Sequence, residues 1–494
     1  MSLLLVFFLL PLCFVFFNHF ISSSSRRTKN LPPGPRPWPI FGNIPHFATK
    51  NPHISAAKFA NTYGPLISFK LGTQLLVVGS SPKAAMEILK THDHLLSARH
   101  SRKALPFKKE VMDEISLIWA SECSDHWKSL RTLCRTVLFS PKAIESQAAM
   151  RELKVSDMIN LIKPKEGQVV GIGEVVFNTV FNMISTLLFS KDLGDKGDKV
   201  GLKGIIWRLL ELGSAPNVSD LYPVLAPLDI QGIQREVVKL TKKFYGVWED
   251  DVKERREKRV GREVGDSTMD DFLDVFLANG FSDELINWFI LELFIAGSDT
   301  TTTTVEWAMA ELVKNRGAME KAMEELKREF NAKPLKESRA SQLPYLNACV
   351  KETLRLHPPG PFLLPDRAVE DCSVLGYTIP KNSQILINVW AIGRDPSVWD
   401  NPLRFDPERF LGSNLDFKGQ DFGLIPFGSG RRMCPGLPMA NMQVHLILAS
   451  LLHHFDWSLP NGEDSSKLEM KEKFGTMLQL EKPLSLVPKI RRIV

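Results

Sequence analysis

Residues 426–436 read PFGSGRRMCPG. A single cysteine, Cys434, stands there among prolines, two arginines and three glycines, in a chain of 494 residues with six cysteines in all. Gly428, Gly430 and Gly436 allow backbone to approach something flat and bulky that side chains would keep away. The run that follows, LPMANMQVHLILASLL (437–452), has a helical apolar pattern, so the sulfur is expected beside a helix N-terminus. Exposed N–H groups and the helix dipole favour a thiolate at such a place. Arg432, two residues earlier, is suited to an anion in the same site. A thiolate next to a cation and open backbone is what a haem iron with carboxylate arms requires. The competing reading is a buried structural cysteine in a glycine-rich turn.

Composition narrows the class. The chain is 44% hydrophobic and 24% charged, enough to bury a large core. Its net charge is +6, and lysines and arginines are interleaved with acids, as in DDVKERREKR (250–259). That run reads as the solvated face of a helix or loop, and nothing in the balance argues for nucleic acid. The cysteines, at 13, 123, 134, 349, 372 and 434, form no CxxC pair and no metal-finger spacing. A disulfide framework belongs to small secreted scaffolds, so the reducing cytosol is expected.

Residues 3–21, LLLVFFLLPLCFVFFNHFI, are almost wholly apolar. As a helix they would span roughly 28 Å, close to a bilayer core. The flanking charge, Arg26, Arg27 and Lys29, follows the stretch, which favours a retained signal anchor over a cleavable signal peptide. The N-terminus is then luminal and the body cytosolic. Five prolines fall within LPPGPRPWPIFGN (31–43), a stiff extended spacer. The expected organisation is a transmembrane anchor over 1–21, a basic and proline-rich linker over 22–40, and one catalytic body over 41–494.

Within that body no second linker or repeat appears. VGSSPKAAMEILKTHDH (78–94) reads as a strand, a turn and a helix. Helical patterns follow over about 124–137, 144–162, 171–190, 235–258, 283–315 and 341–356, the longest opening at Ser282 with Asp283 and Glu284 in its first turn. Short β-type runs lie between 372 and 392. The expected class is mainly α with a minor β portion.

Four further stretches carry chemistry. AGSDTTTTTVEW (296–307) lies in the longest helix, where small and hydroxyl residues can interrupt the backbone ladder or pack against a neighbour. KETLRLHPP (351–359) puts Glu352 and Arg355 on one helix face. FDPERF (405–410) carries Arg409, and WKSLR (127–131) carries Trp127 and Arg131.

Together with FGSGRRMCPG, these stretches resemble the motifs of the cytochrome P-450 superfamily, over nearly the whole chain. The resemblance implies that fold, haem b bound through Cys434, and monooxygenase chemistry. Phe427, Gly428, Arg432 and Gly436 would belong to the haem loop, and Trp127, Arg131 and Arg99 would reach the propionates. Asp299 and Thr300 would relay protons to iron-bound dioxygen. Glu352, Arg355 and Arg409 would form a structural network behind the cysteine loop. LLPDRA (363–368) departs from the family, many of whose members have a basic residue where Asp366 stands. Either Asp366 faces away from the propionates or Arg367 substitutes.

No GxGxxG fingerprint and no reductase domain are present, so electrons from NADPH would arrive through a separate flavoprotein reductase in the endoplasmic reticulum membrane. Lys128, Arg135 and Arg431 would face that acidic partner. By resemblance, Phe362, Leu363, Leu364, Phe474, Thr476 and Met477 line an apolar substrate pocket. The motifs are similar to those of plant microsomal members that oxidise monoterpenols or benzylisoquinoline alkaloids. Asp113 and Glu114, in a segment that overhangs the pocket in the family, would pair with a protonated amine and tilt the expectation to an alkaloid, by hydroxylation or phenol coupling. The apolar LYPVLAPLDI (221–230) either dips into the membrane or packs. Two other classes remain: an oxygen-independent haem-thiolate isomerase or dehydratase, and a non-enzymatic haem protein.

Overall fold

Gly72, at φ +56°, closes the first hairpin, in which β1 (Leu66–Leu71) and β2 (Gln74–Gly79) pair antiparallel. On the far side β2 runs parallel to a strand from late in the chain. The computed structural model describes residues 30–193, 201–259, 271–331 and 333–491. The apolar stretch 3–21 and the basic flank to Lys29 lie outside them. From Pro32 onward the expected spacer lies against β1: Ser68 donates its N–H to Pro33 O (2.9 Å) and its hydroxyl to Pro32 O (2.7 Å).

The helices that build the body are α1 (Asp125–Leu133), α2 (Ala148–Ile162), α3 (Ile172–Phe189), α4 (Leu202–Ser214), α5 (Ile233–Tyr245), α6 (Glu249–Arg259), α7 (Asp283–Lys314), α8 (Arg316–Phe330), α9 (Pro344–Leu356) and α10 (Leu437–His454). Among the described residues, α3 alone is long and apolar enough to cross a membrane. It is 67% buried against the rest of the protein and reads as a core helix.

The pattern over 235–258 proves to be two helices. The chain bends at Gly246 because Trp248 turns inward, fully buried against Phe189, Phe244 and Phe294, with its indole N–H on Asn287 Oδ1 (2.8 Å). The expected helix over 341–356 starts at Pro344, where a missing N–H is harmless. Glu325 of α8 accepts the N–H groups of Tyr345 (2.8 Å) and Leu346 (2.9 Å).

The β portion is small. β3 (Asp366–Arg367) and β4 (Gln384–Ile387) complete the first sheet in the order β1-β2-β4-β3, and β5 (Glu472–Phe474) pairs with β6 (Leu478–Leu480). The result is mainly helical with minor sheet. α7 runs through the centre, with α10 packed along it, and the cysteine loop immediately precedes α10.

Candidate functional site

Gly428 (φ +73°) turns the loop 426–436 so that the Cys434 N–H reaches the carbonyl of Phe427 (2.9 Å). Gly430 (φ +69°) serves a different neighbour. A Cβ there would lie 2.0 Å from the carbonyl of Leu89, so its missing side chain admits the 87–91 turn. Gly436 is the cap of α10, and Cys434 keeps an accessible face at that helix end.

The thiol does not behave as its place in the sequence implies. Burial pushes Cys434 up, against the backbone of Gly436 and Leu437 and the charge of Arg131, which pull it down. The helix end and Arg131 thus work against burial, and a bound metal cation would add to their side.

Arg131 acts on the sulfur, and two further guanidinium groups, the half-buried Arg432 and the buried Arg99, act on each other and on Asp366. Arg432 donates to the carbonyls of Ser97 (2.9 Å), Leu117 (3.3 Å) and Ala120 (2.7 Å), and lies 4.6 Å above the Trp127 ring. Arg131 donates to Met433 O. Arg99 donates to Leu364 O (3.0 Å), Pro365 O (2.8 Å) and the carboxylate of Asp366. The Trp127 N–H is already taken by Leu117 O (2.9 Å), so it is not free for a propionate.

Asp366 resolves neither way that the sequence suggested. It points into the cluster as the partner of Arg99, and burial raises its pKa to about 6 against the pull of Arg99 and Arg432. Arg367 turns instead to Arg99 O (3.1 Å) and Asn382 Oδ1 (3.1 Å). One carboxylate thus faces two guanidiniums, Arg99 and Arg432. Burial, then repulsion from Arg99, lowers Arg432 to about 10. Such a cluster is short of negative charge, and a ligand with two carboxylate arms fits it. Among the described residues no three His, Cys, Asp or Glu side chains are grouped to hold a bare ion. A single thiolate with that cationic surround suits an iron that brings its own macrocycle.

Across the interior lies α7, where Ala296 is exposed and Thr300 half-buried between buried neighbours. α7 is one continuous helix, and threonine hydroxyls bond back onto it: Thr300 Oγ1 donates to Ala296 O (2.7 Å), Thr302 Oγ1 to Ser298 O (2.8 Å) and Thr304 Oγ1 to Thr300 O (2.8 Å). Asp299 is buried, takes only the Gln479 amide (3.2 and 3.3 Å), and is raised by burial to about 6.

The set expected to line a pocket divides. Leu363, held at φ +55°, lies near Gly428, and Leu364, Phe474 and Met477 keep accessible surface. Phe362 is buried. The turn sends its ring into the core against Phe47 (5.8 Å) and Phe474 (6.1 Å). The hydroxyl of Thr476 is spent on Leu210 O. Asp113 is committed too, to the N–H (2.6 Å) and hydroxyl (2.9 Å) of Ser121 and to Lys109 (2.7 Å), and Glu114 is exposed.

The acid that sequence reading missed is Glu292, the single charge in FILELFIA (289–296). It accepts from Ser116 Oγ, the N–H groups of Leu117 (3.0 Å) and Ile118 (3.3 Å) and the Trp288 indole (2.9 Å). Burial raises it to about 7 despite these donors. It pins the 116–118 loop to α7, one turn before Ala296. A charge alone in an apolar helix was the available signal.

Behind the loop, Glu352 and Arg355 form a bidentate pair (2.6 and 2.7 Å), and Arg409 reaches the same carboxylate at 3.1 Å. Arg355 also holds the carbonyls of Gly393, Pro402 (2.7 Å) and Arg404 (3.2 Å).

Comparison with known proteins agrees with this geometry. The cytochrome P-450 family model matches residues 32–487. A probable (S)-N-methylcoclaurine 3'-hydroxylase isozyme 2 of Coptis japonica is 50% identical over 482 residues, 97% of each chain. The (S)-N-methylcoclaurine 3'-hydroxylase isozyme 1 of Papaver somniferum is 48% identical, over 94% of this chain and 96% of its own. Corytuberine synthase of Coptis japonica is 46% identical over 98% of this chain and 99% of its own. With a family match over most of its length and relatives of this identity, the chain belongs to the cytochrome P-450 family and is an oxidoreductase of the monooxygenase type.

Proposed function

We propose that the chain oxidises a benzylisoquinoline-type alkaloid, by ring hydroxylation or phenol coupling, with dioxygen and electrons from NADPH. The observation that carries the substrate class is the near-full-length similarity to relatives named for such alkaloids. Haem b, ligated by Cys434, supplies the iron chemistry that activates dioxygen. Arg99, Arg131 and Arg432 would hold its carboxylate arms. Phe427, Gly428 and Gly436 would shape the loop beneath it. Asp299, raised by burial to about 6, would take up and release a proton close to neutral pH. Thr300 has given its own hydrogen to Ala296 O, so it offers lone pairs to the interior and orients what Asp299 delivers.

The test is titration of the haem Soret band with N-methylcoclaurine and with geraniol, followed by NADPH-dependent turnover. The amine is expected to shift the band and to be oxidised. Turnover of geraniol with no response to the amine would instead make the protein a monoterpenol oxidase. In the same assay Thr300→Ala is expected to keep consuming NADPH while product per NADPH falls roughly tenfold or more, with hydrogen peroxide released. An unchanged ratio would leave the threonines as packing.

Electrons would come from a membrane-bound flavoprotein reductase docking at exposed Arg135 and at Lys128, which shares its charge with Asp125 (2.8 Å). Arg431 is occupied by Asp93 (3.0 Å), so it contributes less than the sequence suggested. Attachment to the endoplasmic reticulum would use the anchor and one apolar patch. Trp38 and Phe41 are 57% and 55% exposed, Val224 and Leu228 are 77% and 66% exposed, and Tyr222 joins the two segments through Ile40 O (3.1 Å). Deleting residues 1–25 should weaken sedimentation with phosphatidylcholine vesicles, and adding Val224→Asp and Leu228→Asp should abolish it. Full binding by that last variant would refute the patch.

A further inference from the structure

Asp299 is not the only acid buried along α7. Glu306 stands two turns further on the same face, with Thr302 and Thr303 between, because positions i, i+3, i+4 and i+7 share one side of a helix. Both carboxyl groups are nearly covered, at 4% and 8% exposure. Among the described residues no cation acts on either.

The surroundings of Glu306 lead outward. One oxygen accepts the Leu484 N–H (2.9 Å), and the carboxyl rests on Gly173, where a Cβ would come within 2.9 Å of it. Gly173 thus provides the room for the group. The turn that carries Gly173 forms one wall of a surface cleft lined by Lys154, Asp157, Lys165, Gly171 and Glu174, with Glu174 exposed. Inward, Asp299 shares one amide between two oxygens, and the adjacent Ser298 hydroxyl is fully buried with no protein partner. The groups facing the two acids are therefore Gln479 and the Leu484 N–H, with Glu174 and the other cleft charges beyond.

We propose that Glu306 reloads Asp299 with protons. Asp299 gives a proton towards the interior and becomes a carboxylate. The Glu306 carboxyl group then returns one over the hydroxyl face of Thr302 and Thr303. A hydronium ion from the solvent in the cleft then protonates the resulting Glu306 carboxylate and leaves water. Glu306 touches no reacting atom; it acts through Asp299, and its role rests on the monooxygenase reading above. Its chemistry suits a proton reservoir. Burial raises both acids, and the charge on Asp299 raises Glu306 further, so the protonation of one is linked to that of the other.

Glu306→Gln keeps the volume and an acceptor for Leu484, so the fold should persist. The first measurement is an infrared pH titration of protonated carboxyl bands in the purified holoenzyme. The band lost in Glu306→Gln is assigned to Glu306, and in Asp299→Asn it should titrate at lower pH than in the wild type. The second compares turnover in H2O and D2O. With NADPH and dioxygen, Glu306→Gln should be slowed about tenfold with an enlarged D2O effect, and Glu306→Asp should recover part of the rate. Turnover driven by an organic hydroperoxide, which already carries its proton, should be unchanged. A Glu306 band indifferent to Asp299→Asn, or wild-type NADPH turnover and D2O effect in Glu306→Gln, would overturn the proposal. A wild-type protein without NADPH-dependent turnover would instead remove the monooxygenase reading, leaving the infrared coupling to stand or fall by itself.

Discussion

In the Cys434→Ser variant the reduced protein is expected to show no thiolate-type band in its carbon monoxide difference spectrum. A serine hydroxyl has far too high a pKa to replace a thiolate on iron, and the protein around position 434 does little to lower it. Burial outweighs the helix end and Arg131 even for the thiol. The other cysteines of the described residues are poor substitutes. Cys134 and Cys349 are buried, burial pushing the former up to about 12 and the latter higher still, and Cys372 is buried in a second cluster. Cys123 is the one rival, since its sulfur acts on Arg432 within the same cationic cluster. The decisive comparison is therefore Cys434→Ser against Cys123→Ser, each with haem content measured. Loss of the band only in the first supports the assignment. Loss only in the second would transfer the ligand to Cys123.

Arg355→Leu is expected to cost about 3–5 kcal/mol, because it strands a fully buried carboxylate. Glu352 and Arg355 are 0% and 1% exposed, so water cannot replace the lost partner. The same carboxylate also accepts the Asp406 N–H (2.8 Å), and Arg355 ties down Gly393, Pro402 and Arg404. The segment that leads to the cysteine loop would lose its moorings, and haem uptake should fall with stability. Set against a total of about 5–15 kcal/mol for a typical domain, the loss leaves little margin. Urea unfolding followed by tryptophan fluorescence would measure it. Replacing both residues with apolar ones of similar volume should recover part of the loss, since no charge is then left unpaired. A single variant within about 1 kcal/mol of wild type would show that the pair is dispensable.

Several features were legible because they are local. The loop 426–436 puts glycines where positive φ is needed, and the helix after it starts where the pattern begins. Ser282 does cap α7, and Glu352 and Arg355 share a face by helical geometry. The five threonines showed their place but not their effect: three of them back-bond to carbonyls, and α7 stays one continuous helix.

What the sequence by itself determined, then, is the set of reactive side chains and the local turns that carry them. The tertiary structure decided which of those side chains remain free. Asp113 looked available for an amine and is consumed by Ser121 and Lys109. Asp366 looked repulsive and became the counter-ion of Arg99, far away in the chain. Glu292 looked like an isolated charge and holds the 116–118 loop. In each case the outcome depends on desolvation and on donors brought in from distant segments, and neither is written into the spacing of neighbouring residues.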